Sequence, residues 1–147
     1  MSGAFFDSNV LIYSVTAGDP RRPIARALLE WGGAISIQCL NEFANVARRK
    51  LRLDWPAVRA QLDIIESLCS PVIPTSLAVH RAGLDLAERH RLSIYDGMIV
   101  AAALAAECDT LYSEDMHHGL VVGGRLTITN PFAGWHGGVE DVARLAL

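Results

Sequence analysis

Short apolar stretches alternate with amphipathic ones along the chain, and their two periodicities mark strands and helices in turn. Ala4 to Phe6 reads as a buried strand that ends at Asp7, and Ser8-Asn9 then turns the chain into the apolar run Val10 to Tyr13. Asp19-Pro20 opens a helix through Ile24, Ala27, Leu28 and Trp31, and Gly32-Gly33 closes it before a second strand, Ala34 to Ile37. Residues 38 to 50 place Cys39 or Leu40, Phe43, Val46 and Ala47 on one helical face, with Glu42 on its flank and Arg48-Arg49-Lys50 at its C-terminal end. Asp54 and Pro56 start another helix with Val58, Leu62, Ile65 and Leu68 inward. Val72-Ile73 follows as a short strand or extended link, then a helix over 76 to 90. Ser93-Ile-Tyr-Asp96 opens the most apolar helix, Ile94 to Ala106, and Thr110 to Tyr112 and Leu126 to Ile128 read as the last strands.

This alternation predicts an α/β domain with a small, mostly parallel central sheet sandwiched between helices. At 147 residues and 51% hydrophobic, the chain is the size of one domain with a single core. No internal repeat or composition shift marks a second domain. Residues 1–132 are therefore expected to form the domain and 133–147 a tail of it, joined through the Gly-rich stretch Gly134 to Gly138.

Apolar runs stop far short of the roughly 20 residues that cross a bilayer, and Asp7 interrupts any export signal, so a soluble, cytoplasmic protein without a membrane partner is expected. Cys39, Cys69 and Cys108 are odd in number and sit in apolar contexts, which favours buried thiols over disulfides or a zinc site. A net charge of -3 excludes a protein that grips nucleic acid through bulk positive charge, and any such contact must be local. The basic cluster Arg48, Arg49, Lys50 supplies candidate phosphate contacts, although cations at a helix C-terminus also compensate its dipole.

Four carboxylates carry the candidate chemistry. Asp7, Glu42, Asp96 and Asp115 each sit at the edge of a strongly apolar segment, and none has a Lys or Arg beside it in sequence. Asp7 and Asp115 fall just beyond strand C-termini, where ligands gather in open α/β sheets, and Glu42 and Asp96 lie near the starts of helices that reach the same rim. Acids brought together there need bound cations or protons. All-oxygen ligands with no Cys or His cluster match magnesium, with manganese as a substitute, and such ions activate water and stabilise charge on a phosphodiester. Asn9, Ser8 and Ser113 add neutral hydrogen-bonding groups. Each acid also has a structural reading: Ser93-x-x-Asp96 matches a capping box, Asp7-Ser-Asn9 an Asx-turn, and Glu42 a solvated flank residue. His117-His118 reads as an exposed loop pair outside the site.

The segments Phe-Phe-Asp7-Ser-Asn9-Val-Leu-Ile-Tyr, Ser-Ile-Gln-Cys-Leu-Asn-Glu42-Phe, Tyr-Asp96-Gly-Met-Ile-Val-Ala-Ala-Ala-Leu and Leu-Tyr-Ser-Glu-Asp115-Met, in that order, resemble the PIN-domain ribonucleases, most closely the VapC-type toxins of bacterial toxin-antitoxin pairs. The resemblance runs from about residue 4 to Asn130-Pro131-Phe132. It implies a PIN-like three-layer α/β/α fold and an endoribonuclease that uses Mg2+ or Mn2+ to cleave RNA by metal-activated water. Asp7, Glu42, Asp96 and Asp115 would be its catalytic and metal-binding acids, with Asn9 and Ser113 as polar neighbours. It also implies a homodimer neutralised by a cognate antitoxin that covers the cleft, with operator DNA reached only through the antitoxin. At the fourth acid the residues are doubled, Glu114-Asp115, and Asp115 is favoured.

Two other readings compete: a non-toxin PIN nuclease in RNA processing or decay, and a catalytically silent RNA-binding module of the same fold. A phosphatase of the haloacid-dehalogenase type would want a second Asp two residues after the first, where Asn9 stands.

Overall fold

The structure, a computed structural model, describes residues 3–134. Within them, β1 (Ala4–Phe6), α1 (Ser8–Val15), α2 (Arg22–Trp31), β2 (Gly33–Ser36), α3 (Ile37–Arg49) and α4 (Trp55–Leu68) lead to β3 (Cys69–Ile73). α5 (Leu77–His90), α6 (Ile94–Ala105), β4 (Thr110–Tyr112), β5 (Val121–Val122) and β6 (Leu126–Thr129) complete the order. The strands form one sheet in the order β3-β2-β1-β4-β6-β5, parallel throughout except for β5, which pairs antiparallel with β6. This is the α/β fold with a mostly parallel sheet that the alternation of elements predicts.

Both faces of the sheet are covered. Phe5 and Phe6 are consecutive, so their side chains point to opposite faces, and both are buried, as are Ala34 and Ile35 on β2. Each buried Phe contributes about 1.5–3 kcal/mol of hydrophobic stabilisation. Among the described residues no helix is long and apolar enough to cross a membrane, and all three cysteines are free and buried.

Differences from the sequence reading are local and have physical causes. Ile37 opens α3 rather than closing β2, because the Ser36 side chain accepts a hydrogen bond from the Cys39 amide and caps the helix there. Leu68, expected inward, ends its helix exposed, as does Trp31 at the end of α2, where Ala25 and Leu29 join Ile24 and Leu28 in the core. β5 has two residues, too few for a periodicity, and Gly123 and Gly124 at positive φ turn the chain from it into β6. The Trp135 to Leu147 part of the expected tail lies outside the described residues.

The crossing of α5 and α6 matters for the site. A Cβ on Gly97 would stand 2.4 Å from the Gly83 carbonyl oxygen, so the two backbones meet at a distance that only glycine allows. That contact seats the first turn of α6, and with it Asp96.

Candidate active site

β1 is the point where the chain reverses its direction of winding, with β2 on one side and β4 on the other. A crevice opens at the carboxyl ends of such a strand pair. Phe6 pairs with Tyr112 in register, the Asp7 amide donates to the Tyr112 carbonyl at 3.0 Å, and Asp7 and Ser113 therefore leave adjacent strands side by side.

Asp7 is the N-cap of α1 and only 4% exposed. Its Oδ1 accepts from the Ser8 amide at 2.7 Å, and its Oδ2 accepts from Ser113 Oγ at 2.7 Å. Ser113 is fully buried, and its Oγ also accepts from the Met116 amide at 3.3 Å, which fixes the turn after β4. Burial pushes the Asp7 carboxyl up to about 6; the Ser113 and Ser8 hydrogen bonds oppose this, and the charges of Glu42 and Asp96 add to it.

Glu42 is half-buried on α3, its Oε2 accepting from Ser8 Oγ at 2.7 Å and its Oε1 from Gln38 Nε2 at 2.9 Å. Asp96 lies in the first turn of α6, where its amide donates to Ser93 Oγ at 3.1 Å. The N-cap is thus present. The Asp96 carboxyl is also raised, by burial first and by the charges of Glu42 and Asp115. Asp115 is exposed and is tied in by Asn9, whose Nδ2 stands 3.3 Å from its Oδ2, 3.4 Å from Asp7 Oδ2 and 3.5 Å from Ser113 Oγ. All four acids therefore reach one rim: Ser8 and Asn9 link Asp7, Glu42 and Asp115, and Asp96 joins them through its electrostatic coupling to Glu42 and Asp115.

Glu114 points elsewhere. Arg21 Nη1 donates to its Oε1 at 2.9 Å and to its Oε2 at 3.1 Å, and Tyr13 Oη donates to Oε1 at 2.8 Å. The same guanidinium forks onto Asp19 through Nε at 2.9 Å and Nη2 at 2.8 Å, and lies 3.6 Å over the Tyr13 ring. Asn9 Oδ1 accepts from the Glu114 amide at 3.2 Å, so one side chain braces both halves of the acid pair. Sequence reasoning missed Arg21, Asp19 and Tyr13; Asp19-Pro20-Arg21 was readable only as a helix start.

The basic cluster is set apart. Arg48 Nη1 donates to the Leu53 carbonyl at 2.9 Å and its guanidinium sits 4.6 Å over the Trp55 ring, bracing the turn after α3. Arg49 and Lys50 are exposed, about 10 Å farther along the helix axis than Glu42 at 1.5 Å per residue. His117 and His118 are exposed, and His118 Nδ1 accepts from the Asn130 amide at 2.8 Å.

The donor set suits a hard divalent cation: carboxylate oxygens with an amide and two hydroxyls, and no hydrogen-bonded cation on any of the four acids among the described residues. No three His, Cys, Asp or Glu side chains among the described residues close tightly enough around one point to hold an ion unaided. Magnesium commonly takes one or two carboxylates and keeps several waters, so it does not need such a cage.

The PIN domain family matches residues 4–119. Among solved structures, VapC20 of Mycobacterium tuberculosis, described as a sarcin-ricin loop cleaving toxin, superposes with a TM-score of 0.62 at 21% identity, covering 76% of this chain and 89% of that one. VapBC2 of Rickettsia felis, bound to a DNA fragment from its promoter, gives 0.62 at 21% identity, covering 90% and 98%. A toxin-antitoxin complex from Klebsiella pneumoniae gives 0.64 at 21% identity, covering 87% and 97%. No curated protein matches the sequence.

Proposed function

The chain belongs to the PIN-domain family, and from that premise we propose that it is a divalent-metal-dependent endoribonuclease acting as the toxin of a toxin-antitoxin pair. The observation that carries the nuclease reading is the acidic rim: Asp7, Glu42 and Asp115 are joined by neutral donors at one edge of the sheet, with Asp96 close enough to feel the charges of Glu42 and Asp115.

A bound Mg2+ or Mn2+ would supply charge neutralisation at a phosphodiester and a water acidified toward neutral pH. Asp7 and Asp115 are the acids that Asn9 bridges, and Asp7 with Glu42 those that Ser8 bridges, so these carboxylates would hold the cation. The chain's own residues fix the geometry. Ser113 and the Ser8 amide orient the Asp7 carboxylate, and Ser8 with Gln38 pins both oxygens of Glu42. Asp96 is held on the first turn of α6, where its carboxyl also hydrogen-bonds the Ser93 side chain, and it would add its charge to the same cation. Arg49 and Lys50 reach the flanking backbone of the RNA; Arg48 is engaged by Leu53 and Trp55 and acts through that turn.

The toxin reading rests on the fold shared with the VapC proteins and brings a homodimer, a cognate antitoxin over the cleft and operator DNA through that antitoxin. A second concave surface lies between α2 and α4, where Leu29, Ile64 and Leu68 share the lining of a 260 Å³ cavity with Ser14, Arg26, Glu30 and Gln61, so a peptide bearing both apolar and polar side chains would fit it. The test is cleavage of RNA with magnesium and with excess chelator, beside expression of wild type and Asp7→Asn at equal soluble levels. Cleavage that survives chelator would overturn the metal mechanism. Equal harmlessness of the two proteins would replace the toxin with a non-toxin PIN nuclease.

A further inference from the structure

A groove of 410 Å³ opens between α3 and α6 beside the acidic rim, lined by Gln38, Asn41, Glu42, Asn45 and Tyr95. The four α3 residues follow the i, i+3, i+4, i+7 spacing of one helical stripe, opposite the stripe of Cys39, Phe43 and Ala47 that the core buries. Gln38 ties the walls together, donating through Nε2 to Glu42 Oε1 at 2.9 Å and to the Tyr95 carbonyl at 3.0 Å. Tyr95 is 70% exposed although it is a large aromatic, and neither its hydroxyl nor the Asn41 and Asn45 amides has a hydrogen-bond partner among the described residues.

The lining decides the class of occupant. Its only charge is the Glu42 carboxylate and it holds no Lys or Arg, so it repels a phosphate. Unengaged amides offer paired donors and acceptors, and an exposed phenol ring offers a stacking face, the means by which proteins read unstacked RNA bases. Glu42 belongs to both the groove and the acidic rim, so the occupant lies next to the reacting phosphate.

We propose that this groove is a base-specificity subsite: Tyr95 stacks on the nucleobase beside the cut, and Asn41 and Asn45 read its edge. The inference rests on the ribonuclease reading above and adds which residues choose the cleavage sequence.

The test measures binding of labelled RNA hexamers of A, C, G or U by fluorescence anisotropy, in an Asp7→Asn background so that RNA stays intact, alongside cleavage by the otherwise wild-type protein. Affinities are expected to differ at least about tenfold between the best and worst base. Tyr95→Ala should weaken the best hexamer at least about tenfold, and Asn41→Ala with Asn45→Ala should bring the four within about threefold of one another. The magnesium-induced rise in melting temperature, measured with Asp7 intact, should be the same in these groove variants as in wild type, which separates the groove from the acids. Unchanged affinities and ranking in both sets of variants, with wild type still cutting RNA, would overturn the subsite and leave the nuclease standing. Loss of self-association in Tyr95→Ala with hexamer binding intact would make the groove a protein contact and also overturn it. A wild-type protein that neither cuts nor binds RNA would overturn the ribonuclease reading itself, and the subsite with it.

Discussion

Two groups of carboxylates lie side by side at the same end of the sheet and are treated in opposite ways. Asp19 and Glu114 wrap around Arg21, whose planar fork gives each a charge-assisted bond of 2.8–2.9 Å. That contact holds the Asp19 carboxyl below its ordinary range. Asp7 and Asp96, by contrast, are raised by burial and by the charges of their acidic neighbours. The fold therefore has a cation within one residue of Asp115 and directs it away, onto Glu114. Acids compensated by Arg21 brace the loops; acids left without a cation form a site that a metal can complete.

The largest expected effect comes from breaking the uncompensated group. Each of Asp7→Asn, Asp96→Asn and Asp115→Asn should lower RNA cleavage at least about a hundredfold, whereas Glu114→Gln should cost less than about tenfold, measured as kcat/KM in magnesium. A Glu114→Gln loss as large as that of Asp115→Asn would merge the two groups.

The next effect is on stability and pH. The Asp7 carboxyl rises from 3.8 to about 6 on folding, so between those values the folded state keeps a proton that the unfolded state has lost. In chelator, stability from this group is therefore greatest at low pH and falls as pH rises toward about 6. Above that, ionised Asp7 costs the fold on the order of 3 kcal/mol. Asp7→Asn should remove this part of the slope and match or exceed wild-type stability at pH 7.5 in chelator, by urea denaturation. An Asp7→Asn protein much weaker than wild type under those conditions would mean that the acid serves the fold.

Gly97→Ala tests how Asp96 is delivered. Its methyl would meet the Gly83 carbonyl at 2.4 Å, and forcing α5 and α6 apart should cost about 1–3 kcal/mol and reduce cleavage. Unchanged stability would show that the helices do not depend on that close crossing.

Arg21→Ala should give the smallest change, about 1–2 kcal/mol, because its pairs are partly exposed and screened. Arg21→Ala with Glu114→Gln should recover part of that loss, since the stranded charge is gone. A double variant no better than the single one would mean that Arg21 acts through Tyr13 or Asp19 alone.

The ends of the apolar segments made the four acids legible in sequence, because a strand that stops at Asp7 or a helix that starts at Ser93 can be read from periodicity and capping. The choice between Glu114 and Asp115 was not readable in the same way, since it depends on an arginine 93 positions away along the chain. The groove beside Glu42 was equally hidden: Gln38 could be paired with Glu42 at i, i+4, but its bond to the Tyr95 carbonyl exists only once α3 and α6 are packed. Local signals fix the elements, and the pairing of distant side chains decides which polar groups remain free.

Completion of the uncompensated acids by a divalent cation can be read in a magnesium titration followed by thermal unfolding of wild type, Asp7→Asn and Glu114→Gln. Wild type and Glu114→Gln should gain saturable stability, about 2.7 kcal/mol at a hundred times the dissociation constant, and Asp7→Asn should gain much less. A wild-type melting temperature indifferent to both magnesium and manganese, or an equal gain in Asp7→Asn, would contradict it.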